Sequence, residues 1–120
     1  IKAAREAAIA HDIPSTELDW LLQELAGIDR LDLRLGSFQH HPTVVLQISF
    51  NQLAELWQQR LQYRIPVQYL AGKTPWRNFV LRVSPAVLIP QPETELLIEI
   101  ADQAVAGNAE LTEGNWADLG

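Results

Sequence analysis

Apolar positions along this chain change their period near residue 73. Upstream, Leu18, Leu21, Leu22 and Leu25 form one stripe at three- and four-residue spacing, and Leu53, Leu56, Trp57 and Leu61 form a second. Such spacing puts the apolar side chains on one face of an α-helix. The Ala-rich run from Lys2 to His11 predicts a further helix ending before Asp12-Ile13-Pro14, because a residue ahead of proline is pushed out of the helical region. Ser15 or Thr16 can cap the second helix, and Gly27 closes it. Asp29 to Leu35 suits a short third helix stopped by Gly36, although its alternation of charge and leucine fits a strand nearly as well. From Ser37 the reading is a loop through His40-His41-Pro42 and then a helix begun by Val45, which leaves the capping-box pair Ser49 and Gln52 inside that helix. Pro66 opens a short helix over Val67, Tyr69 and Leu70 that Gly72 ends.

Downstream, Trp76 is followed by Phe79, Leu81 and Val83, which alternate with a period of two, as a half-buried strand does. With Ser84-Pro85 as a turn into Val87, Leu88 and Ile89, the expected element is a β-hairpin that Pro90 ends. Pro92 fits the first helical position, and Glu93 and Glu95 lie at the positive end of the helix dipole. Leu96, Leu97, Ile100, Ala101, Ala104 and Val105 then make an apolar face that needs a partner. Gly107 to Asn115 reads as a polar surface loop, and Trp116 to Leu119 as the opening strand of an α/β sheet with Gly120 starting its turn. The expected organisation is a helical bundle over residues 1–72, a hairpin linker over 73–91 and the start of a further domain over 92–120. A strand arriving at the last residue without neighbours predicts a chain that stops inside a fold.

Composition narrows the function classes. A formal charge of −6 counts against a protein whose main partner is a nucleic-acid backbone, which requires clustered Lys and Arg. With no cysteine there is no disulfide framework and no thiolate metal site, and no run is long and apolar enough to span a membrane. No signal peptide is visible, and a soluble, cytoplasmic protein is expected.

Few residues suggest chemistry by themselves. Glu95 and Glu99, four apart on a helix, read as a solvated face, and adjacent His40 and His41 lack a third ligand. Trp20 and Trp57 read as core, Trp76 and Phe79 as packing for the hairpin, and Gln68 and Tyr69 as stitching between the short helix and the hairpin. Arg60 and Arg64 read as cations at a helix C-terminus. The pattern Asp118-Leu119-Gly120, an acidic residue near a strand end followed by glycine, can begin a cofactor-binding turn.

Taken in order, Arg64-Ile65-Pro66-Val67-Gln68-Tyr69-Leu70-Ala71-Gly72, Trp76 and Phe79, Val87-Leu88-Ile89-Pro90-Gln91-Pro92-Glu93-Thr94-Glu95, and Ala117-Asp118-Leu119-Gly120 resemble the release-factor glutamine methyltransferases of the HemK/PrmC type. The resemblance covers the C-terminal half closely, and the first half matches in length and pattern. It implies a mainly α fragment: a small N-terminal bundle that recognises the substrate protein, a hairpin linker, and the first helix and strand of a truncated Rossmann-like domain that binds S-adenosylmethionine. The implied activity of the whole enzyme is methylation of the side-chain amide of the glutamine in the Gly-Gly-Gln loop of peptide chain release factors. Carried over by resemblance, Gly120 belongs to the cofactor loop, and Pro90 and Gln91 border the cofactor cleft. Gln91 departs from the family, which usually has Arg there, and a neutral amide cannot make the same charge-assisted bonds. The family's Asn-Pro-Pro-Tyr motif is absent from these 120 residues, so the fragment is expected to be inactive. The competing readings are a non-catalytic helical protein-binding module and a fragment of a nucleic-acid amino-methyltransferase, against which the acidic balance counts.

Overall fold

The two leucine stripes face each other. In the computed structural model, which describes residues 1–40 and 46–119, α1 (Lys2–Ala10) and α2 (Ser15–Leu21) pack with α4 (Phe50–Tyr63). Leu18, Leu21 and Leu22 meet Leu53, Trp57 and Leu61, with Ala8, Ile13, Ile28, Leu33 and Val67 completing the core. Each large apolar side chain so buried contributes about 1.5–3 kcal/mol. The Trp57 indole N–H donates to the Ala4 carbonyl at 3.3 Å, so the largest core side chain also satisfies its polar atom and ties α4 to α1.

Local chemistry sets the helix ends. α2 runs on into one wide π turn over Leu22–Ala26, and Gly27 closes it at φ 69°, a left-handed conformation that glycine takes without strain. Pro14, not Ser15 or Thr16, occupies the N-cap position of α2, and no side chain caps it. α3 (Arg30–Leu35) is a helix and not the competing strand, because Asp29 accepts the Leu31 N–H at 2.7 Å and Gly36 ends it in the left-handed region. α4 begins at Phe50, later than expected. Ser49 and Gln52 form a true capping box at its start, with the Gln52 N–H donating to Ser49 Oγ at 3.2 Å and the Ser49 N–H to Gln52 Oε1 at 3.2 Å. The helix start expected at Val45 falls outside the described residues. α5 (Val67–Ala71) lies between Pro66 and Gly72, as its sequence requires.

The hairpin is shorter than the sequence reading. β1 (Lys73–Trp76) and β2 (Phe79–Arg82) pair antiparallel, Trp76 opposite Phe79 and Lys73 opposite Arg82, so the turn falls at Arg77-Asn78. Arg77 takes φ 50° to make it. Val87 to Ile89 forms no strand: Ser84-Pro85 makes a separate local turn, with the Val87 N–H donating to the Ser84 carbonyl at 3.0 Å, and among the described residues no third strand offers a ladder. Phe79 is exposed and does not glue the hairpin down; that role falls to Thr74 and Val83, both buried.

α6 (Pro92–Gly107) starts at the expected proline, but none of its residues is buried. The expected loop after it contains a short helix, α7 (Ala109–Glu113), because Asn108 accepts the Glu110 N–H at 3.0 Å and so caps a run of good helix formers. The strand expected over Trp116 to Leu119 does not form: the strands among the described residues are the two of the hairpin, and Leu119 is 95% exposed. The radius of gyration is 19.2 Å, whereas a compact domain of this length has about 14 Å. The chain is therefore elongated, 61 × 30 × 24 Å.

Candidate functional site

A recess of about 510 Å³ opens where α2, α5, the hairpin and the proline-bounded segment converge. Trp20 and Glu17 of α2 stand on one side, Gln68 of α5 and Trp76 of β1 on another, and Pro90, Gln91 and Glu95 close the third. Glu17 is fixed by Arg60 of α4, which donates from Nε at 2.6 Å and from its terminal nitrogen at 3.1 Å. Such a bidentate pair fixes orientation as well as charge. Arg60, a cation in the last turn of α4 as expected, therefore also clamps two helices. Glu95 accepts the Arg77 N–H at 3.2 Å, which ties the first turn of α6 to the hairpin turn.

The hydrogen-bond ledger has one gap here. The Trp76 indole nitrogen is buried and has no hydrogen-bond partner among the described residues, although buried N–H groups are nearly always paired. Gln91 turns its amide back on its own segment, donating to the Ile89 carbonyl at 3.1 Å. Tyr69 does stitch α5 to the following segment, through its hydroxyl and the Val87 carbonyl at 2.6 Å. Of the residues carried over from the resemblance, Pro90 and Gln91 thus share one wall, and Gly120 lies outside the described residues.

The recess carries walls and hydrogen-bonding groups but no paired nucleophile and base, so by itself it can bind and orient. Among the described residues no group of three or more His, Cys, Asp or Glu could hold a metal ion, and no helix is long and apolar enough to cross a membrane. Reading the sequence missed Trp20 and Trp76 as walls of one recess, since each looked like ordinary packing. The usable signal was their chemistry, because a half-buried indole still needs an acceptor.

The chain is similar in sequence to named proteins over most of its length. It is 45% identical to the release factor glutamine methyltransferase of Synechocystis sp. over 98% of its own length and 39% of that protein. It is 44% identical to that of Gloeobacter violaceus over 81% of its length and 34% of the relative, and 39% identical to that of Prochlorococcus marinus over 88% and 36%. The chain thus spans between a third and two fifths of the length of these relatives. No family model matches it, and no solved structure does.

Proposed function

We propose, from the premise that this chain belongs among the release factor glutamine methyltransferases, that it is the N-terminal portion of an S-adenosylmethionine-dependent enzyme acting in translation termination. The whole enzyme would methylate the side-chain amide nitrogen of the Gly-Gly-Gln glutamine of a peptide chain release factor in the cytoplasm. Residues 1–72 would meet the substrate protein, residues 73–91 would link, and residues 92–120 would begin a Rossmann-like catalytic domain.

The observation that carries this reading is the bare face of α6. Leu96, Leu97 and Ile100 are all more than half exposed on a helix that buries nothing. A face of this kind fits the sheet of a further domain. The relatives have more than half of their length outside the region matched here.

Pro90 and Gln91, on the wall of the recess, would border the cofactor, and Gly120 would enter its glycine-rich loop. The unpaired Trp76 N–H and the polar rim suit a ligand rich in acceptors, so the residues present fit one side of S-adenosylmethionine. When bound, it would supply a methyl group on a sulfonium sulfur. This chain's own part is positional: Arg60 and Glu17 hold α2 against α4, Tyr69 holds the segment leading to Pro90, and Glu95 holds α6 to the hairpin. An amide nitrogen is a poor nucleophile and must be oriented in line with the methyl group, for which the missing Asn-Pro-Pro-Tyr motif would be needed.

The test is methyl transfer to a release factor, read by mass spectrometry of the Gly-Gly-Gln peptide. A complete protein containing this segment should modify the glutamine, and the 120-residue chain should not. Transfer by the short chain, or modification of a nucleic acid in place of the peptide by the complete one, would overturn the reading.

A further inference from the structure

α3 exposes a face that the core does not use. Leu33 is its only buried residue, while Leu31 and Leu35, four positions apart, are 62% and 71% exposed. Arg30 and Arg34 have the same spacing and lie next to the leucines around the helix, so two cations and two apolar side chains make one continuous strip. Arg30 and Arg34 border a cleft of about 410 Å³ against α2 and its π turn, lined also by Thr16, Trp20 and Gln23.

Charge on this helix is segregated. Asp29 is engaged as the cap of α3, and Asp32 accepts the Ser37 hydroxyl. Asp19, the acidic residue of the cleft, is paired with Arg5 at 2.6 Å. Among the described residues neither Arg30 nor Arg34 has an ion-pair partner. Arg34 gains from the last turn of its helix, but Arg30 sits at the first helical position, where the dipole disfavours a cation. Helix stability therefore does not account for Arg30. A chain of net charge −6 that keeps two unpaired arginines beside a half-buried tryptophan carries the Arg and Trp composition of a binding hot spot, and the exposed Leu31 and Leu35 add apolar area next to it.

We infer that this strip of α3, with the Trp20 cleft, docks an acidic amphipathic segment of a partner protein. Carboxylates of the segment would pair with Arg30 and Arg34, and its apolar side chains would cover Leu31 and Leu35. The inference deepens the reading of the bundle as the substrate-docking part and rests on it for the identity of the partner as a release factor.

The test is titration of the isotope-labelled chain with a synthetic amphipathic helix of leucine and glutamate, followed by amide and indole chemical shifts. Shifts should concentrate at Trp20, Gln23 and residues 30–35. Arg30→Gln with Arg34→Gln should weaken binding about tenfold or more, and so should raising salt to about 1 M, where the screening length falls to about 3 Å. Leu31→Gln with Leu35→Gln should weaken it without removing the salt dependence. All four side chains are exposed, so an unchanged melting curve checks each variant. No shifts at millimolar peptide, equal binding of a peptide with glutamine in place of glutamate, or shifts centred on α6 would overturn the proposal. Titration with a release factor separates the two readings. Binding to the wild-type chain and the Arg variant alike would overturn this surface and leave the docking reading standing. Binding of the peptide alone supports the surface and removes the release factor as its partner.

Discussion

The hydroxyl of Tyr69 donates a 2.6 Å hydrogen bond to the carbonyl oxygen of Val87, joining α5 to a segment eighteen residues further on. That bond, with the one from the Arg77 N–H to Glu95, fixes both ends of the run that carries Pro90 and Gln91. Neither lies in the core.

Tyr69→Phe removes the first tie while leaving the ring in place. The hydroxyl is near solvent, so the expected loss is about 0.5–1.5 kcal/mol at most, and the bundle should melt almost as before. Amide exchange should speed up locally at Val87 and Leu88. Unchanged exchange there would show that the proline segment is held by something else.

The Arg60–Glu17 pair has a different weight, because its side chains keep only 15% and 26% of their exposure. Arg60→Ala should cost about 1–3 kcal/mol in urea unfolding. Arg60→Lys keeps the charge and loses the fork, and should recover less than half of that loss. Full recovery would mean that charge alone holds α2 to α4.

Most helices of the bundle could be placed from the sequence because stop signals lie close to their ends, although the start of α4 was set too early and α3 fitted a strand nearly as well. Pro66 and Gly72 bracket α5, and Asp29 and Gly36 bracket α3, all within a few residues of the elements they end. What could not be read depends on partners far along the chain. The hairpin register is settled by Trp76 meeting Phe79, and nothing in the alternation of Lys73 to Ile89 says which tight turn wins. Val87 to Ile89 has strand composition but, among the described residues, no ladder to join. The recess was harder still, since Glu17, Trp76 and Gln91 are brought together by three separate elements. Only the family resemblance singled out Pro90 and Gln91. α7 was missed for a local reason: Asn108 looked like a turn residue and is a helix cap.

Leu21 is fully buried at the centre of the core. Leu21→Ala should therefore destabilise the chain by about 2–5 kcal/mol, a large share of the roughly 5–15 kcal/mol available to a small domain. Ser49→Ala, which removes the capping box of α4, should cost about 0.5–2 kcal/mol. Urea midpoints in that order test the assignment of core and cap together; a larger effect at Ser49 than at Leu21 would contradict it.

The last prediction concerns the apolar face of α6, where Leu97 and Ile100 are 64% and 61% exposed. An unsupported helix of this length is marginal in water, because nucleation is costly and most helical stability in proteins comes from packing. Two apolar side chains left in water also favour self-association. In the 120-residue chain, Leu97→Glu with Ile100→Lys should leave the bundle's unfolding midpoint within about 0.5 kcal/mol of its original value, and should lower any association seen by sedimentation velocity. In a complete protein, where a sheet would cover this face, the same pair should destabilise by several kcal/mol, since it would bury two charges in an apolar contact. The two measurements therefore diverge if α6 is the first helix of a further domain. Equal and small effects in both would mean that α6 remains a solvent-exposed arm, and the domain proposed to follow it would have to pack elsewhere.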